Sequence, residues 1–331
     1  WPLDQSIVVG AHFARPNGKK TEIHFTRNEN SAFVVTRDNT TIVKSKKTST
    51  RLPKIKNWQY APGFIEILPE CEEGGWLDSY RPVKRDLVDS HHGYAWYRCI
   101  VKEESSTERE IAFSSLADRA IVFVNGRHEY TTSEPPEDRR VQPSATFKVR
   151  MRKGDNIIAL LSDNLGHVKG DWQIGDPAKD GLKMHDDHKG LLGPVYVDGK
   201  EIRFWRFRDG LQGERDGRPA GRGTWNRLRS DLKAPLRWFK GEFELSAEEL
   251  KRGVRAPLRI RVEGLTKAIL WVNDRNLGRY WNVNGYVDYY VPTPYLKRQN
   301  VVVVFEEGKG IPNKVRLVRD EKATSNSVVE V

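Results

Sequence analysis

The residues best suited to contact chemistry are aromatics set beside cations and amides. Arg279, Tyr280, Trp281 and Asn282 follow one another at the end of "WVNDRNLGRYW" (271–281) and its next residue. An aromatic face stacks on the apolar face of a sugar ring, while Arg and Asn donate to hydroxyls. The same side chains also pack well against a neighbouring domain, so both readings stand. Trp172 is a further candidate contact, in a Gly-rich segment (166–190) that also holds His167, His185 and His188 among several aspartates. The histidine spacing fits no zinc motif. Loop oxygens there suit a structural Ca²⁺, and a charged loop that is merely solvated is the plain alternative. No other cofactor is expected. The chain has no Gly-x-Ser-x-Gly elbow, no phosphate-binding loop and no dinucleotide fingerprint.

These residues must be positioned by β structure. Runs at 65–68, 120–124, 156–161, 258–262 and 301–305 are rich in Val, Ile and aromatics, bounded by Gly, Pro, Asn and Asp. Trp271 and Val272 end one strand and Leu277 belongs to the returning one. Asn273-Asp274 between them tolerates the positive φ of a two-residue hairpin turn. On that reading the Arg279–Trp281 triplet stands at an exposed hairpin tip after Gly278. "TRDNTT" (36–41) reads as another hairpin, and its Asn39-Thr40-Thr41 fits the N-glycosylation acceptor pattern. The one helical signal is "SAEELK" (246–251), where Ser246 and Glu249 have capping-box spacing.

Composition narrows the class. The 331 residues leave room for two or three domains. The chain is 37% hydrophobic with ten tryptophans, and no apolar run approaches the length of a membrane span. The net charge of +11 is interleaved along the chain rather than gathered in Lys/Arg blocks, so neither a membrane span nor a nucleic-acid partner is expected. Cys71 and Cys99 form either one disulfide or two free thiols. The first residue is Trp1 rather than Met, which reads as a processed or cut-down product.

An internal repeat organises the chain. One copy runs Trp96-Tyr97, Val124-Asn125-Gly126 and Asp155-Asn156; the other runs Trp238-Phe239, Val272-Asn273-Asp274 and Gln299-Asn300. Spacings from aromatic pair to turn to second asparagine are 29 and 31 residues in the first copy, 35 and 27 in the second. Each copy is expected to be one antiparallel sandwich with a hairpin at a fixed place. The expected division is a small β-rich domain at 1–85, a first sandwich at 86–208, a linker at 209–224 and a second sandwich at 225–331. Trp96, Phe123, Trp238 and Trp271 fall at strand positions and are expected in the core.

"WVNDRNLGRYWNVNGYVDYYVPTPYLK" is similar to a stretch near the C-terminus of family 35 glycoside hydrolases, the β-galactosidases. "AIVFVNGR", "KGDNIIALLSDNLG", "GLLGPVYVDG" and "IEILPEC" resemble further landmarks of that family, in order, over roughly 60–310. The resemblance implies an all-β chain of tandem galactose-binding-like jelly-roll sandwiches that pack on a catalytic (β/α)₈ barrel. It also makes galactose-containing glycans and the barrel the expected partners, in a secreted, cell-surface, lysosomal or periplasm-like compartment. The segment holding Trp172 matches a variable insertion of the family. Asp274 stands where the family usually has glycine, a change that still permits the turn. The family's two catalytic glutamates sit on barrel strands, and retaining hydrolysis needs two carboxyl groups about 5 Å apart. Glu66, Glu70 and Asp186-Asp187 lie in β or loop contexts with no such pairing, so this chain alone is not expected to hydrolyse a glycoside. The implied role is the non-catalytic part of a β-galactosidase-like enzyme that supports the barrel and contributes to sugar recognition. The alternative is a free-standing carbohydrate-binding or structural protein of the same descent.

Overall fold

The computed structural model describes the chain except residues 1, 4–5, 18–19, 26–30, 45–51, 64, 72–73, 133–144, 167–187, 230, 233, 254–256, 320–324 and 331. The described elements are almost all antiparallel strands, as expected. They fall into two compact units, 63–215 and 1–62 together with 216–331.

The unit at 63–215 is the first sandwich. Its large sheet runs in the order Arg127–Thr131, Arg119–Val124, Gly154–Asn164, Gly93–Glu103, Trp205–Asp209 and Leu77–Ser79. The facing sheet is Ala145–Met151, Thr107–Phe113, Val195–Val197 and Lys200–Glu201. Tyr97, Phe113, Val122, Leu160 and Trp205 fill the space between. Strand alternation sends Tyr97 and Val122 inward while Trp96 and Phe123 lie on the opposite face, which is buried too.

The second unit contains the matching sandwich. Its large sheet runs Arg275–Trp281, Lys267–Val272, Gln299–Glu306, Arg237–Glu244, Lys56–Pro62 and Asn226–Arg227. It faces Asp288–Val291, Leu258–Arg261 and Arg316–Arg319 across a core of Phe239, Phe243, Leu270, Val302, Val304 and Tyr289. The unit also holds a small β piece with its own core around Ile23, Phe25 and Val34. There the strand Ser325–Glu330 pairs with Lys20–Phe25.

These pairings correct the expected boundaries. Lys56–Pro62 hydrogen-bonds to Arg237–Glu244 and so belongs to the second sandwich rather than to a 1–85 domain. The last strand leaves the second sandwich for the N-terminal piece. The expected linker is ordered: it carries a helical turn at Gln212–Arg215 and a 3₁₀ turn at Arg218–Ala220 with Pro219 buried. The expected strand at 65–68 is instead a 3₁₀ turn, Ile65–Ile67. The turn carries Glu66 inward, where its Oε1 lies 3.0 Å from Arg208 Nη2 and accepts the Gln212 N–H at 3.0 Å. Burial raises the Glu66 carboxyl despite these partners.

The helical signal holds. Ser246 Oγ accepts the Glu249 N–H at 3.1 Å, Glu249 Oε2 accepts the Ser246 N–H at 2.7 Å, and the helix Ala247–Gly253 follows. No helix among the described residues is long and apolar enough to cross a membrane.

Candidate functional site

The second sandwich presents two chemically different regions at the two ends of one hairpin. At the turn, Asn273 has φ 51° and Asp274 φ 70°, the paired positive values that a tight two-residue turn demands. Asn273 is fixed there by its side chain. Its Nδ2 donates to the Tyr295 carbonyl at 2.7 Å and to Asn300 Oδ1 at 2.9 Å, and its Oδ1 accepts the Val301 N–H at 3.0 Å. Asn300 in turn bridges both backbone groups of Lys297. Both amides are therefore satisfied within the fold and have little left for a ligand.

Beside them lies a cleft of about 790 Å³ lined by Lys54, Lys56, Glu242, Glu244, Lys297 and Gln299. Asn57 Nδ2 donates to Glu242 Oε2 at 3.3 Å across it. Ammonium and carboxylate groups of this kind donate to and accept from sugar hydroxyls. The aromatic ring at the cleft, Phe243, is buried in the core and offers no stacking face. Sequence reasoning did not single out these residues. Its signal was alternation in "KGEFE", where Glu242 and Glu244 share one side of the strand.

The aromatic triplet lies at the other end of the hairpin, which corrects the expectation that it forms the tip. Arg279 pairs with Ile269, Tyr280 with Ala268 and Trp281 with Lys267 inside the ladder. Tyr280 is 4% exposed, stands edge-on to Tyr289 at 6.5 Å, and its phenol is raised by burial. It is a core residue and is poorly placed to touch a ligand. Arg279 gives its carbonyl to the Tyr289 hydroxyl at 2.7 Å. Trp281 is half-buried, with Lys267 Nζ 4.5 Å from its ring centre. That ammonium also pairs with Glu307 at 3.3 Å, so a cation backs one face of the indole. Asn282 is exposed, with its N–H held by the Thr266 carbonyl at 3.0 Å. Val283 and Tyr286, which follow it in "YWNVNGY", are exposed apolar groups at this end of the hairpin.

Trp172, His167, His185 and Asp186-Asp187 lie outside the described residues. His188 is described, and its Nδ1 stands 3.4 Å from Asp86 Oδ2. Among the described residues no cluster of His, Cys, Asp or Glu has metal-binding geometry. Cys71 and Cys99 are free thiols, so the disulfide left open by the sequence is not formed. Both are buried, and burial pushes the Cys99 thiol up.

Residues 236–300 match the family described as "Beta-galactosidase, galactose-binding domain", which places that match on the second sandwich. The chain is 26% identical over 237 residues to human "Beta-galactosidase-1-like protein 2", covering 70% of this chain and 33% of that protein. It is 24% identical over 294 residues to "Beta-galactosidase 13" of Arabidopsis thaliana, covering 80% of this chain and 31% of that protein. A solved β-glucuronidase from glycoside hydrolase family 2 aligns over 87% of this chain and 30% of its own, at 14% identity and a TM-score of 0.28, too loose an overlap to carry an argument. The chain thus spans about a third of the length of the curated relatives it matches. The match and the relatives agree with the landmarks read in the sequence: this all-β chain is similar to the galactose-binding region of β-galactosidases, and the family match itself falls on residues 236–300.

Proposed function

We propose that this chain serves a β-galactosidase-like glycoside hydrolase as its non-catalytic sandwich region, packing on a catalytic (β/α)₈ barrel and holding part of the glycan. The observation that carries the reading is that the galactose-binding match falls on a sandwich with two dissimilar ends. The exposed Val283 and Tyr286, following the half-buried Trp281 in the chain, suit a protein surface, because large exposed apolar groups are costly unless covered. The polar cleft at the Asn273 turn suits hydroxyls, since it offers paired donors and acceptors without a stacking face.

Two measurements test this. Co-expressed with the catalytic barrel of a family 35 β-galactosidase, the chain should co-purify with it. Trp281→Ala should weaken that association by about 2 kcal/mol, as buried tryptophans do at interfaces, while hardly moving the chain's own melting temperature. In a titration with lactose, Glu242→Ala should reduce binding and Trp281→Ala should not. Loss of lactose binding in Trp281→Ala with association intact would make the Trp281 end a sugar site and overturn the assignment of the two ends. Purified alone, the chain should leave a chromogenic β-galactoside uncleaved. Turnover that disappears on mutation of a single Asp or Glu would refute the non-catalytic role.

A further inference from the structure

The first sandwich carries an exposed aromatic group that neither its core nor the reading above uses. Phe204 is 73% exposed and holds φ at 65°, a left-handed conformation that side chains other than Gly, Asn and Asp rarely adopt. Its N–H donates to the Tyr80 carbonyl at 3.2 Å, which carries the pairing of Trp205–Asp209 with Leu77–Ser79 one residue further. The rings of Phe204 and Tyr80 meet edge to face at 5.1 Å, and Tyr80 is itself 49% exposed. The backbone therefore adopts a strained state that holds a large apolar ring in solvent. Such strain persists only where the surrounding structure imposes it, and it concentrates at functional positions.

The polar groups beside the rings are fixed in place. The Arg203 guanidinium lies over the Tyr80 ring at 5.1 Å and donates to the Tyr80 hydroxyl. Glu201 sits between Arg81 at 3.4 Å and Arg203 at 3.5 Å. Glu201 and Arg203 also line a cleft of about 510 Å³ together with Ile100, Glu103, Arg109 and Asp198. Inside it Arg109 is held by Glu103 at 2.7 Å and Asp198 at 2.9 Å. Cavities of this size take small organic ligands.

We propose that Phe204, Tyr80, Glu201 and Arg203 form a binding site for a neutral pyranose on the first sandwich, separate from the galactose-binding domain of the second. A pyranose has one face of C–H groups that lies flat on an exposed ring, and an edge of hydroxyls that needs donors and acceptors side by side. Phe204 supplies the first; the Glu201 carboxylate and the Arg203 guanidinium supply the second. The ion-paired groups number three arginines, Arg81, Arg109 and Arg203, and three acids, Glu103, Asp198 and Glu201. Paired in this way, they present fixed dipoles to a sugar's hydroxyls; Lys102 and Lys200 also line the cleft, so a uronate is the competing ligand that the titration must reject.

The test is calorimetric titration of the full chain with a neutral galacto-oligosaccharide and, in parallel, an oligogalacturonate. The neutral oligosaccharide should bind, and Phe204→Ala should weaken it about tenfold, the loss of one stacked ring, with an unchanged melting temperature. Phe204→Leu keeps an apolar side chain and should show the same loss. In the Glu242→Ala variant, which removes the proposed sugar contact of the other sandwich, this binding should persist and should still be lost on adding Phe204→Ala, so this site and the reading of the second sandwich fail separately. No binding of the neutral oligosaccharide, full affinity in Phe204→Ala or Phe204→Leu, or tighter binding of the galacturonate would each overturn the proposal.

Discussion

The two sandwiches share one frame and differ in what they bury within it. The first four strands of their large sheets have the same order, outward from the hairpin. Each hairpin bulges at the equivalent place, between Val122 and Phe123 and between Leu270 and Trp271. Asn125 Nδ2 donates to Asn156 Oδ1 at 2.8 Å and Asn125 Oδ1 accepts the Ile157 N–H at 3.0 Å, matching the bonds of Asn273 with Asn300 and Val301. The fifth strand differs: Trp205–Asp209 follows the rest of the first sandwich in the chain, whereas Lys56–Pro62 precedes the rest of the second. The interiors differ too, since the buried Glu66 faces a buried Arg208 while the buried Glu306 has Glu307 beside it and accepts backbone N–H groups from Thr266 and Gly310. The comparison teaches that repeated turn chemistry fixes the frame, while strand supply and buried charge are free to diverge.

The largest effect that would probe this comparison is loss of a repeated tryptophan. Trp96 and Trp238 are both fully buried, and truncation to alanine should cost about 3–5 kcal/mol each. Trp238 touches both Trp271 and Phe305, at 5.4 and 5.0 Å, while Trp96 meets Phe123 at 6.2 Å. Denaturant titration should therefore find Trp238→Ala the costlier of the two. Equal costs would mean that the aromatic cluster of the second sandwich adds nothing to burial.

Next come the asparagine clamps. Asn156→Ala and Asn300→Ala each leave a half-buried partner amide and two or more backbone groups without their bonds, at about 1–3 kcal/mol. Amide hydrogen exchange should speed up at Arg152 and Ile157 in the first variant, and at Lys297 and Val301 in the second. If one sandwich tolerates its substitution, the clamps are not equivalent.

A smaller effect lies in the turns, where the first hairpin has Gly126 at φ 79° and the second Asp274 at φ 70°. Gly126→Ala should destabilise by about 1 kcal/mol through conformation alone, because the added Cβ meets only Leu68 Cδ2 at 3.6 Å. Asp274→Gly should stabilise by about 0.5 kcal/mol, the relief of αL strain offset by a more flexible unfolded chain. A stabilising Gly126→Ala would show that the turn is not held in its left-handed form.

The smallest effect is in pH dependence. Burial raises the Glu306 carboxyl above the ordinary glutamate value of 4.5, as it does Glu66. Such a group contributes most to stability below its unfolded pKa, and that contribution is lost as pH rises through the folded value. Glu306→Gln should therefore flatten the fall in melting temperature above pH about 4.5, with little harm at neutral pH. Glu66→Gln should flatten it too but lower stability throughout, because Arg208 is left buried without its anion. A Glu306→Gln melting profile parallel to wild type would remove Glu306 from the pH response.

Much of the frame was legible because its signals are local. Asn-Gly and Asn-Asp name a two-residue turn through backbone conformation, Ser246 with Glu249 names a helix start, and alternation names the strands. The candidate site was only half legible. Residues 279–282 were found by type, yet the positive φ values at 273–274 put the turn there and sent Tyr280 into the ladder and the core. Phe204 gave no sign, since "RFWRF" alternates like any strand and nothing in it announces a left-handed residue.

The sequence by itself determined the class, the two asparagine-marked hairpins and the kinship, because turns, caps and periodicity depend on residues a few positions apart. Tertiary structure alone decided that Lys56–Pro62 completes the second sandwich and that Ser325–Glu330 returns to the N-terminal piece. It also decided that Glu66 pairs with Arg208 in the interior. These depend on partners 142 to more than 300 positions away, and a strand's hydrogen-bonding edge carries no mark of which distant edge will satisfy it.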